Sequence, residues 1–274
     1  MSTQFLIRDQ GKIAYDDTGS GPLALCVPSL GDVRQEYRFL VPQLVEAGFR
    51  AVTMDLRGMG ESSTGWDDYS VAGVGADIVA LLRELDAGPA VIVATSMAAG
   101  AAVWAAAEAP ELVAGLVLIG PFVRGETPTL NAYLYRVLFS RPWGPAAWQW
   151  YYNTLYPTRK PEDFAEYSAA LRANLAEPGR IEVTYQMAMA SKAASAARVA
   201  QVTAPVLVLM GSKDPDFKEP ETEARWVAEA LHGRLQMMEG AGHYPHAEMP
   251  ELTGAQIVAF VQARFVGEAV AHGA

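Results

Sequence analysis

The chain has 274 residues, enough for one large hydrophobic core with or without an inserted subdomain. Its content of 51% hydrophobic and 19% charged residues is typical of a folded globular protein and excludes an intrinsically disordered chain. The net charge of −10, with no cluster of basic residues, argues against binding to nucleic acid or to an anionic membrane surface.

The N-terminus and the cysteine content bound the location and the redox chemistry. Residues 1–5 lack the basic and then apolar segments of a secretory signal peptide, so the expected location is the cytoplasm. Cys26 is the single cysteine and cannot form an intrachain disulfide; the apolar run 23–27 around it predicts a buried core residue. His243 and His246 are three residues apart but lack a third ligand, so neither a metal nor a cofactor is predicted.

Strand and helix patterns alternate at short intervals through the first 119 residues. A turn at 9–11 between two short apolar stretches predicts a hairpin. Apolar residues at helical spacing predict helices over 37–47, ended by Gly48, and over 71–85, with Ser70 as the N-cap. Buried strands are predicted at 23–27, 50–55, 90–95 and 116–119. This alternation predicts an α/β fold, a mostly parallel, doubly wound sheet with helices on both faces.

The alternation stops at Gly120-Pro121 and resumes after residue 202. Between them the chain is rich in aromatic residues, and short helix-compatible pieces are separated by prolines. Strands at 206–210 and 234–238 and helices near 221–231 and from Pro250 then follow. We therefore expect a helical cap at 123–202, inserted between the two parts of an α/β core at 1–122 and 203–274.

The segment Ala94-Thr95-Ser96-Met97-Ala98 joins a β-branched strand to an alanine-rich helix. A serine at such a strand–turn–helix junction is typical of a nucleophile elbow, which lifts the hydroxyl clear of the sheet. The positions two before and two after the serine must be small; glycine is usual there, and this chain has alanine. The uncharged run 90–107 also raises the possibility of a membrane span, but its change of composition favours a buried strand followed by a buried helix. An inert serine in an ordinary turn remains an alternative.

A nucleophilic serine requires a histidine base and an acid that orients it. His243 follows a glycine-rich loop after the strand 234–238 and is the favoured base, whereas His246, close to the last helix, is the alternative. For the acid, Asp214 is the first carboxylate after the strand 206–210, and Asp216 is the alternative. The order Ser, Asp, His along the chain is that of α/β-hydrolases.

These features together resemble the α/β-hydrolase superfamily over nearly the whole chain. The matching segments are the elbow at 94–98, the turn at 55–62, Gly211-Ser212-Lys213-Asp214 and Gly240-Ala241-Gly242-His243. The resemblance implies that Ser96 is the nucleophile, His243 the base and Asp214 the orienting acid.

The chain departs from that family after the strand 23–27. The positions that usually read His-Gly are Pro28-Ser29 here, and the resemblance implies that the backbone N–H groups of Leu30 and Met97 form the oxyanion hole. Asp32, two residues further on, would oppose a developing negative charge if it faced that hole, and its direction is open in the sequence. Most cap aromatics are expected to form the cap's own core; the candidate substrate contacts are Pro28, Tyr133, Trp143 and Tyr152.

The expected activity is cofactor-free hydrolysis of an ester, or lactone, of a mainly apolar small molecule through an acyl-enzyme on Ser96. Carbon–carbon hydrolases, amidases, thioesterases and cofactor-free haloperoxidases keep the same triad and remain alternatives, as does a slow-turnover ligand-binding receptor. Epoxide hydrolases and haloalkane dehalogenases carry an aspartate at the elbow, which Ser96 argues against. The expected partner is thus a small-molecule ester and no nucleic acid, and the oligomeric state is open.

Overall fold

The computed structural model of the protein describes residues 3–125 and 135–269. Its centre is one eight-stranded sheet with the strand order β1-β2-β4-β3-β5-β6-β7-β8. The strands are β1 (Gln4–Arg8), β2 (Gly11–Thr18), β3 (Leu23–Val27), β4 (Arg50–Met54), β5 (Ala90–Thr95), β6 (Val113–Ile119), β7 (Val206–Gly211) and β8 (Arg234–Met238).

The sheet is mostly parallel, as the alternation of elements predicts. The pairs β3–β4, β3–β5, β5–β6, β6–β7 and β7–β8 are parallel, and the two pairs made by β2 are antiparallel. Every residue of β3, β5 and β7 is buried, because helices cover both faces of the sheet. Successive residues of β3 enter different cores: Leu25 lies in one and Cys26 in the other.

The helices divide between the two faces. They are α1 (Leu40–Glu46), α2 (Val71–Leu85), α3 (Met97–Glu108), α4 (Gly144–Thr154), α5 (Phe164–Leu175), α6 (Arg180–Met189), α7 (Ala193–Ala196), α8 (Pro220–Ala230), α9 (Pro245–Glu248) and α10 (Pro250–Ala269). Apolar side chains of α2, α3 and α8 pack into the larger core, and those of α1 and α10 into the smaller one. The doubly wound α/β fold predicted from the sequence is confirmed.

One predicted helix is divided in the structure. The pattern over 37–47 predicts a continuous helix, but a 3₁₀ helix (Arg34–Tyr37) is followed by α1, which begins at Leu40. Pro42 has no N–H to donate to the carbonyl of Arg38, so the α-helical hydrogen bonds cannot continue back through that turn. The Tyr37 hydroxyl instead donates to the carbonyl of Val27, which ties the 3₁₀ helix to the sheet.

The run 90–107 is a buried strand and a buried helix. It divides at Ser96 into β5 and α3, whose residues are almost all buried. Within residues 3–125 and 135–269, no helix has both the length and the apolar character needed to cross a bilayer.

The segment between β6 and β7 carries α4 to α7 and, among its described residues, no strand. β6 and β7 are adjacent and parallel, so the segment leaves the sheet at its carboxyl edge, where the ligands of open α/β sheets bind. We propose, as the sequence predicts, that residues 123–202 form a cap on a core of residues 1–122 and 203–274, and call them the cap segment.

Candidate active site

Ser96 lies in a strained turn at the carboxyl end of β5. Its backbone has φ 60° and ψ −123°, a conformation that non-glycine residues rarely adopt and that costs about 1–3 kcal/mol. Neighbouring backbone holds the turn: the N–H of Ser96 donates to the carbonyl of Ile119 at 2.8 Å, and the carbonyl of Ser96 accepts from Phe122 at 3.1 Å. The turn therefore has the geometry expected of a nucleophile elbow.

The small residues around Ser96 permit close packing of β5 and α3. Ala94 and Ala98 have no exposed surface. One turn further along α3, a Cβ added to Gly100 would lie 2.7 Å from the carbonyl oxygen of Phe122, closer than real contacts allow. Alanine at the two elbow positions is thus small enough for this packing, although glycine is more usual.

Asp214 and His243 form a buried hydrogen bond in the loops that follow β7 and β8. His243 Nδ1 lies 2.7 Å from Asp214 Oδ2, and the side chains are 2% and 0% exposed. Gly211, at the end of β7, lets the loops meet, since a Cβ there would lie 2.0 Å from the carbonyl oxygen of Gly242. The favoured base and the favoured acid are thus brought together.

Asp216, the alternative acid, lies beside this pair without replacing Asp214. Its Oδ2 is 3.8 Å from His243 Nδ1, and its Oδ1 accepts a hydrogen bond from the Tyr151 hydroxyl at 2.5 Å. Burial alone would lower the pKa of His243, but the negative charges of Asp214 and Asp216 outweigh it and raise that pKa above its usual value. Burial raises the pKa of Asp216 itself.

His246, the alternative base, is engaged elsewhere. Its Nε2 lies 3.1 Å from Glu36 Oε1, and its ring stacks on Tyr37 with 5.1 Å between ring centroids. Both His246 and Glu36 are almost fully buried. The structure therefore separates the two histidines, and His243 alone contacts the acids of the β7 loop.

Leu30 lies in a loop, residues 28–33, that is fixed by its neighbours in the core. The N–H of Ser29 donates to Glu36 Oε2 at 2.7 Å, and the Ser29 and Tyr244 hydroxyls are 2.6 Å apart. Gly31, with φ 71°, packs against the indole of Trp148, so that a Cβ there would lie 2.3 Å from the ring atom Cζ2. Any side chain at position 31 would displace either this loop or the cap segment.

Met97 is the first residue of α3. The N–H groups of a first helical turn have no intrahelical acceptor and favour negative charge. Leu30 and Met97 line the same cavity as Ser96 and His243. The two residues whose N–H groups are expected to form the oxyanion hole therefore line the same cavity as the serine and the histidine.

Asp32, whose direction the sequence leaves open, points to the cap segment. Its Oδ2 accepts from the Tyr152 hydroxyl at 3.0 Å, and its Oδ1 accepts from the Tyr167 hydroxyl and from the N–H of Val33. Burial and the charge of Glu36 raise the pKa of Asp32 to about 7.

The cavity at the site has a volume of about 510 Å³. Most of its walls are apolar or aromatic, and its polar lining includes Lys192, Asp216 and Tyr151. Its apolar lining includes Leu30, Phe122, Leu138, Phe139, Trp148, Leu155 and Met187. A cavity of this size and character suits a small, mainly apolar molecule.

Of the four candidate substrate contacts, three are described residues that do not line this cavity. The described lining residues do not include Pro28, Trp143 or Tyr152. Trp143 is about half exposed and donates its Nε1–H to the carbonyl of Val137, while Tyr152 is turned to Asp32. The fourth, Tyr133, lies outside the described residues.

Among the described residues, the donor atoms of Asp214, Asp216 and His243 lie within 4.8 Å of one another, a spacing that would allow them to bind one cation. The imidazole Nδ1 is, however, engaged by Asp214, and Asp216 by Tyr151. This pattern of hydrogen bonds suits an oriented imidazole better than a set of metal ligands.

A model of the alpha/beta hydrolase family matches residues 24–256, most of the chain. The chain belongs to the alpha/beta hydrolase family. Among curated proteins it is similar to "Putative non-heme bromoperoxidase BpoC" of Mycobacterium tuberculosis, 36% identical over 108 residues. That match covers 39% of this chain and 41% of the relative, so the aligned part is about two fifths of the relative's length. A longer match, 29% identical over 96% of this chain and 97% of the relative, is to "2-(acetamidomethylene)succinate hydrolase" of Mesorhizobium japonicum.

Solved structures of this alpha/beta hydrolase fold superpose over nearly the whole chain. A bromoperoxidase from Bacillus anthracis has a TM-score of 0.83 at 18% identity, covering 95% of this chain and all of that one. At this identity the likeness shows the fold alone.

Two contacts of α4 with the site were not predicted from the sequence. The carbonyl of Leu155, just after α4, accepts a hydrogen bond from the N–H of His243 at 3.0 Å, and Tyr151 donates to Asp216. A backbone carbonyl carries no sequence signal. The aromatic side chain of Tyr151 could be recognised only as one of many in the cap segment.

The pH dependence of hydrolysis tests the environment of His243. Since the base must be unprotonated, kcat/KM is expected to rise with pH through a midpoint above 6.5, the usual pKa of histidine. Asp216→Asn removes one of the carboxylates that raise this pKa, and the midpoint should move to lower pH. Asp214→Asn should instead lower kcat by about 10³-fold or more, because the neutral amide can present its NH₂ to Nδ1 and hold the imidazole in the wrong tautomer. Profiles of kcat/KM and kcat against pH for wild type, Asp216→Asn and Asp214→Asn measure both effects. Equal effects of the two substitutions would contradict the assignment of Asp214 as the orienting acid.

Gly120→Ala tests how tightly the imidazole is held. Gly120 has φ 50°, and a Cβ there would lie 3.0 Å from His243 Cε1 and Nδ1. The ring must shift, and kcat is expected to fall by about tenfold or more. Gly88→Ala is the control, since Gly88 has φ 77° but no atom within 4 Å of an added Cβ. That variant should lose stability in thermal unfolding while its kcat stays near wild type; a similar loss of kcat in both would point to backbone strain as the cause.

Proposed function

We propose that the protein is a serine hydrolase that cleaves the carboxylic ester, or lactone, of a mainly apolar small molecule. The observation that carries the proposal is the convergence of three features on one cavity. Ser96 lies in a strained turn, and the buried imidazole of His243 is hydrogen-bonded to Asp214. Leu30 and Met97, the proposed oxyanion donors, line the same cavity as Ser96 and His243.

The geometry supports a two-step acyl transfer. His243 takes the proton of Ser96 as its oxygen attacks the carbonyl carbon, and the negative charge that develops on the carbonyl oxygen is stabilised by the N–H groups of Leu30 and Met97. His243 then gives the proton to the leaving alkoxide. A water molecule, deprotonated by the same imidazole, attacks the acyl-enzyme and releases the acid and the free serine.

The cavity supports the choice of an apolar substrate. Its walls are mostly aromatic and aliphatic, and a volume of about 510 Å³ is within the range of small-molecule sites. An ester group needs few polar contacts beyond the nucleophile and the oxyanion donors. The rest of the molecule would be bound through burial of apolar surface, which stabilises binding by about 25 cal/mol per Å².

A second candidate is perhydrolysis, which the similarity to a relative named as a non-heme bromoperoxidase favours. Hydrogen peroxide would replace water in the second step, attack the same acyl-enzyme and release a peracid and the free serine. The peracid would then oxidise bromide in solution to hypobromite and return to the carboxylic acid. Bromination of a phenol dye in acetate buffer, with peroxide and bromide present, would detect this route.

Ester turnover tests the proposed activity. Wild-type protein is expected to hydrolyse p-nitrophenyl butyrate or octanoate faster than the acetate, because a longer acyl chain buries more apolar surface in the cavity. Ser96→Ala should lower kcat by about 10³-fold or more, since the nucleophile is lost.

The matched control is Ser168→Ala, which removes another buried serine hydroxyl, on α5, that accepts from Gln149. Its turnover should stay near that of wild type. A fluorophosphonate probe should label wild type and Ser168→Ala but not Ser96→Ala. Tight binding of an apolar ligand, with no labelling and no turnover in wild type, would contradict the hydrolase and favour a binding protein.

His243→Ala and His246→Ala separate the two histidines. The first removes the proposed base, so turnover should fall by about 10³-fold or more. The second removes a ring that contacts Glu36 behind loop 28–33 and should reduce turnover much less. Initial rates at saturating ester measure both. The opposite order would mean that His246 is the base.

A further inference from the structure

The carboxyl group of Asp32 is fully buried beside the proposed oxyanion hole, and the mechanism does not use it. It lies two residues after Leu30, in the same loop 28–33. It accepts hydrogen bonds from the Tyr152 hydroxyl, the Tyr167 hydroxyl and the N–H of Val33. Two of these three donors belong to the cap segment, one on α4 and one on α5.

A carboxyl group buried without a cation beside it is energetically costly. Within residues 3–125 and 135–269, no cation forms a hydrogen bond or an ion pair with Asp32. The guanidinium of Arg38 lies over the Tyr167 ring, 3.9 Å from its centroid, and is paired with Asp163. A well-packed apolar residue would avoid the desolvation of a buried acid. Stability of the fold therefore does not explain why a carboxyl group is buried at position 32.

The groups around Asp32 do not neutralise it. Glu36, on the 3₁₀ helix, is a second buried acid near it, and the tyrosines Tyr37, Tyr152, Tyr156, Tyr167 and Tyr244 are further titratable neighbours. Hydroxyl donors fix the direction of a carboxylate without adding a positive charge next to the site.

The loop is consequently held from two sides. On the core side, Ser29 bonds to Glu36 through its N–H and to Tyr244 through its hydroxyl. On the cap side, Gly31 packs against the Trp148 indole and Asp32 bonds to Tyr152 and Tyr167. Leu30, whose N–H is one proposed oxyanion donor, lies between these two sets of contacts.

We propose that Asp32 is a positioning residue: held by Tyr152 and Tyr167, it fixes the Leu30 N–H and so makes the oxyanion hole dependent on the cap segment. The inference rests on the proposed function for its role in the reaction. The contact itself joins α4 and α5 to loop 28–33 whatever the reaction is. The cap segment thus completes the site as well as covering it.

The test is the double variant Tyr152→Phe/Tyr167→Phe, which removes both hydroxyl donors and keeps both rings. With p-nitrophenyl butyrate, kcat should fall by about tenfold or more, because a misplaced donor stabilises the oxyanion less, while KM stays within about twofold. Affinity for an aryl trifluoromethyl ketone, whose adduct with Ser96 carries the oxyanion, should fall in parallel with kcat/KM. A role in stability alone would lower the melting temperature without this selective loss.

Two further variants complete the design. Tyr156→Phe is the matched control. It removes another buried hydroxyl of the cluster, which lies 3.1 Å from that of Tyr152 and does not donate to Asp32, and it should keep kcat near wild type. Asp32→Asn keeps one acceptor oxygen for Tyr167 and Val33 and should retain more activity than Asp32→Ala. If the double variant and Asp32→Ala both keep wild-type kcat and ketone affinity, the proposal is wrong.

Hydrogen–deuterium exchange decides the positioning independently of turnover. Amides of residues 29–33 should exchange about tenfold faster in the double variant than in wild type or Tyr156→Phe, because the loop has lost its cap-side contacts. Unchanged exchange would overturn the proposal. If the wild-type protein hydrolysed no ester, the proposed function would fail by that result, and the exchange of these amides would still decide whether the cap segment fixes the loop.

Discussion

The site depends on the buried hydrogen bond between Asp214 and His243. It requires the loops after β7 and β8 to meet at one edge of the sheet, and glycine makes this approach possible. Gly211 allows the backbones to touch, and Gly120 leaves room for the imidazole beside the carboxylate. The carbonyl of Leu155, in the cap segment, accepts a hydrogen bond of 3.0 Å from the backbone N–H of His243. The imidazole is therefore fixed by core and cap together, and the two carboxylates of the β7 loop are the largest of the charges that raise its pKa.

The fold and the triad candidates could be predicted because both follow from local pattern and topology. Parallel strands end at the same edge, so Ser96 after β5, Asp214 after β7 and His243 after β8 are brought to one region by the strand order alone. The choice of Asp214 over Asp216 rested on its place directly after the strand. The structure gives Asp214 the shorter contact with Nδ1, 2.7 Å against 3.8 Å.

The contacts of the cap segment could not be predicted in the same way. Asp32 and its tyrosine partners are 120 and 135 residues apart along the chain, and no periodicity relates them. An aromatic residue in the cap segment suits an apolar pocket, which makes Tyr152 a candidate substrate contact in the sequence; in the structure its hydroxyl donates to the carboxyl group of Asp32. The division of the helix over 37–47 had a visible cause in Pro42, but apolar spacing alone does not register a missing donor.

The acids behind the proposed oxyanion hole share one arrangement. Glu36 accepts a hydrogen bond from the N–H of Ser29 and lies next to His246, and Asp32 accepts from two tyrosines. Both acids are buried, and neither is paired with a Lys or Arg of the part of the chain that the structure describes. A paired arginine would satisfy either acid better, but its fixed positive charge would also attract the oxyanion and compete with the proposed backbone donors. Neutral hydroxyl donors avoid that competition, and the raised pKa of Asp32, about 7, reduces its own negative charge near neutral pH. These two buried acids thus lie where they can orient one loop, and local rules of burial are expected to be broken at such places for function.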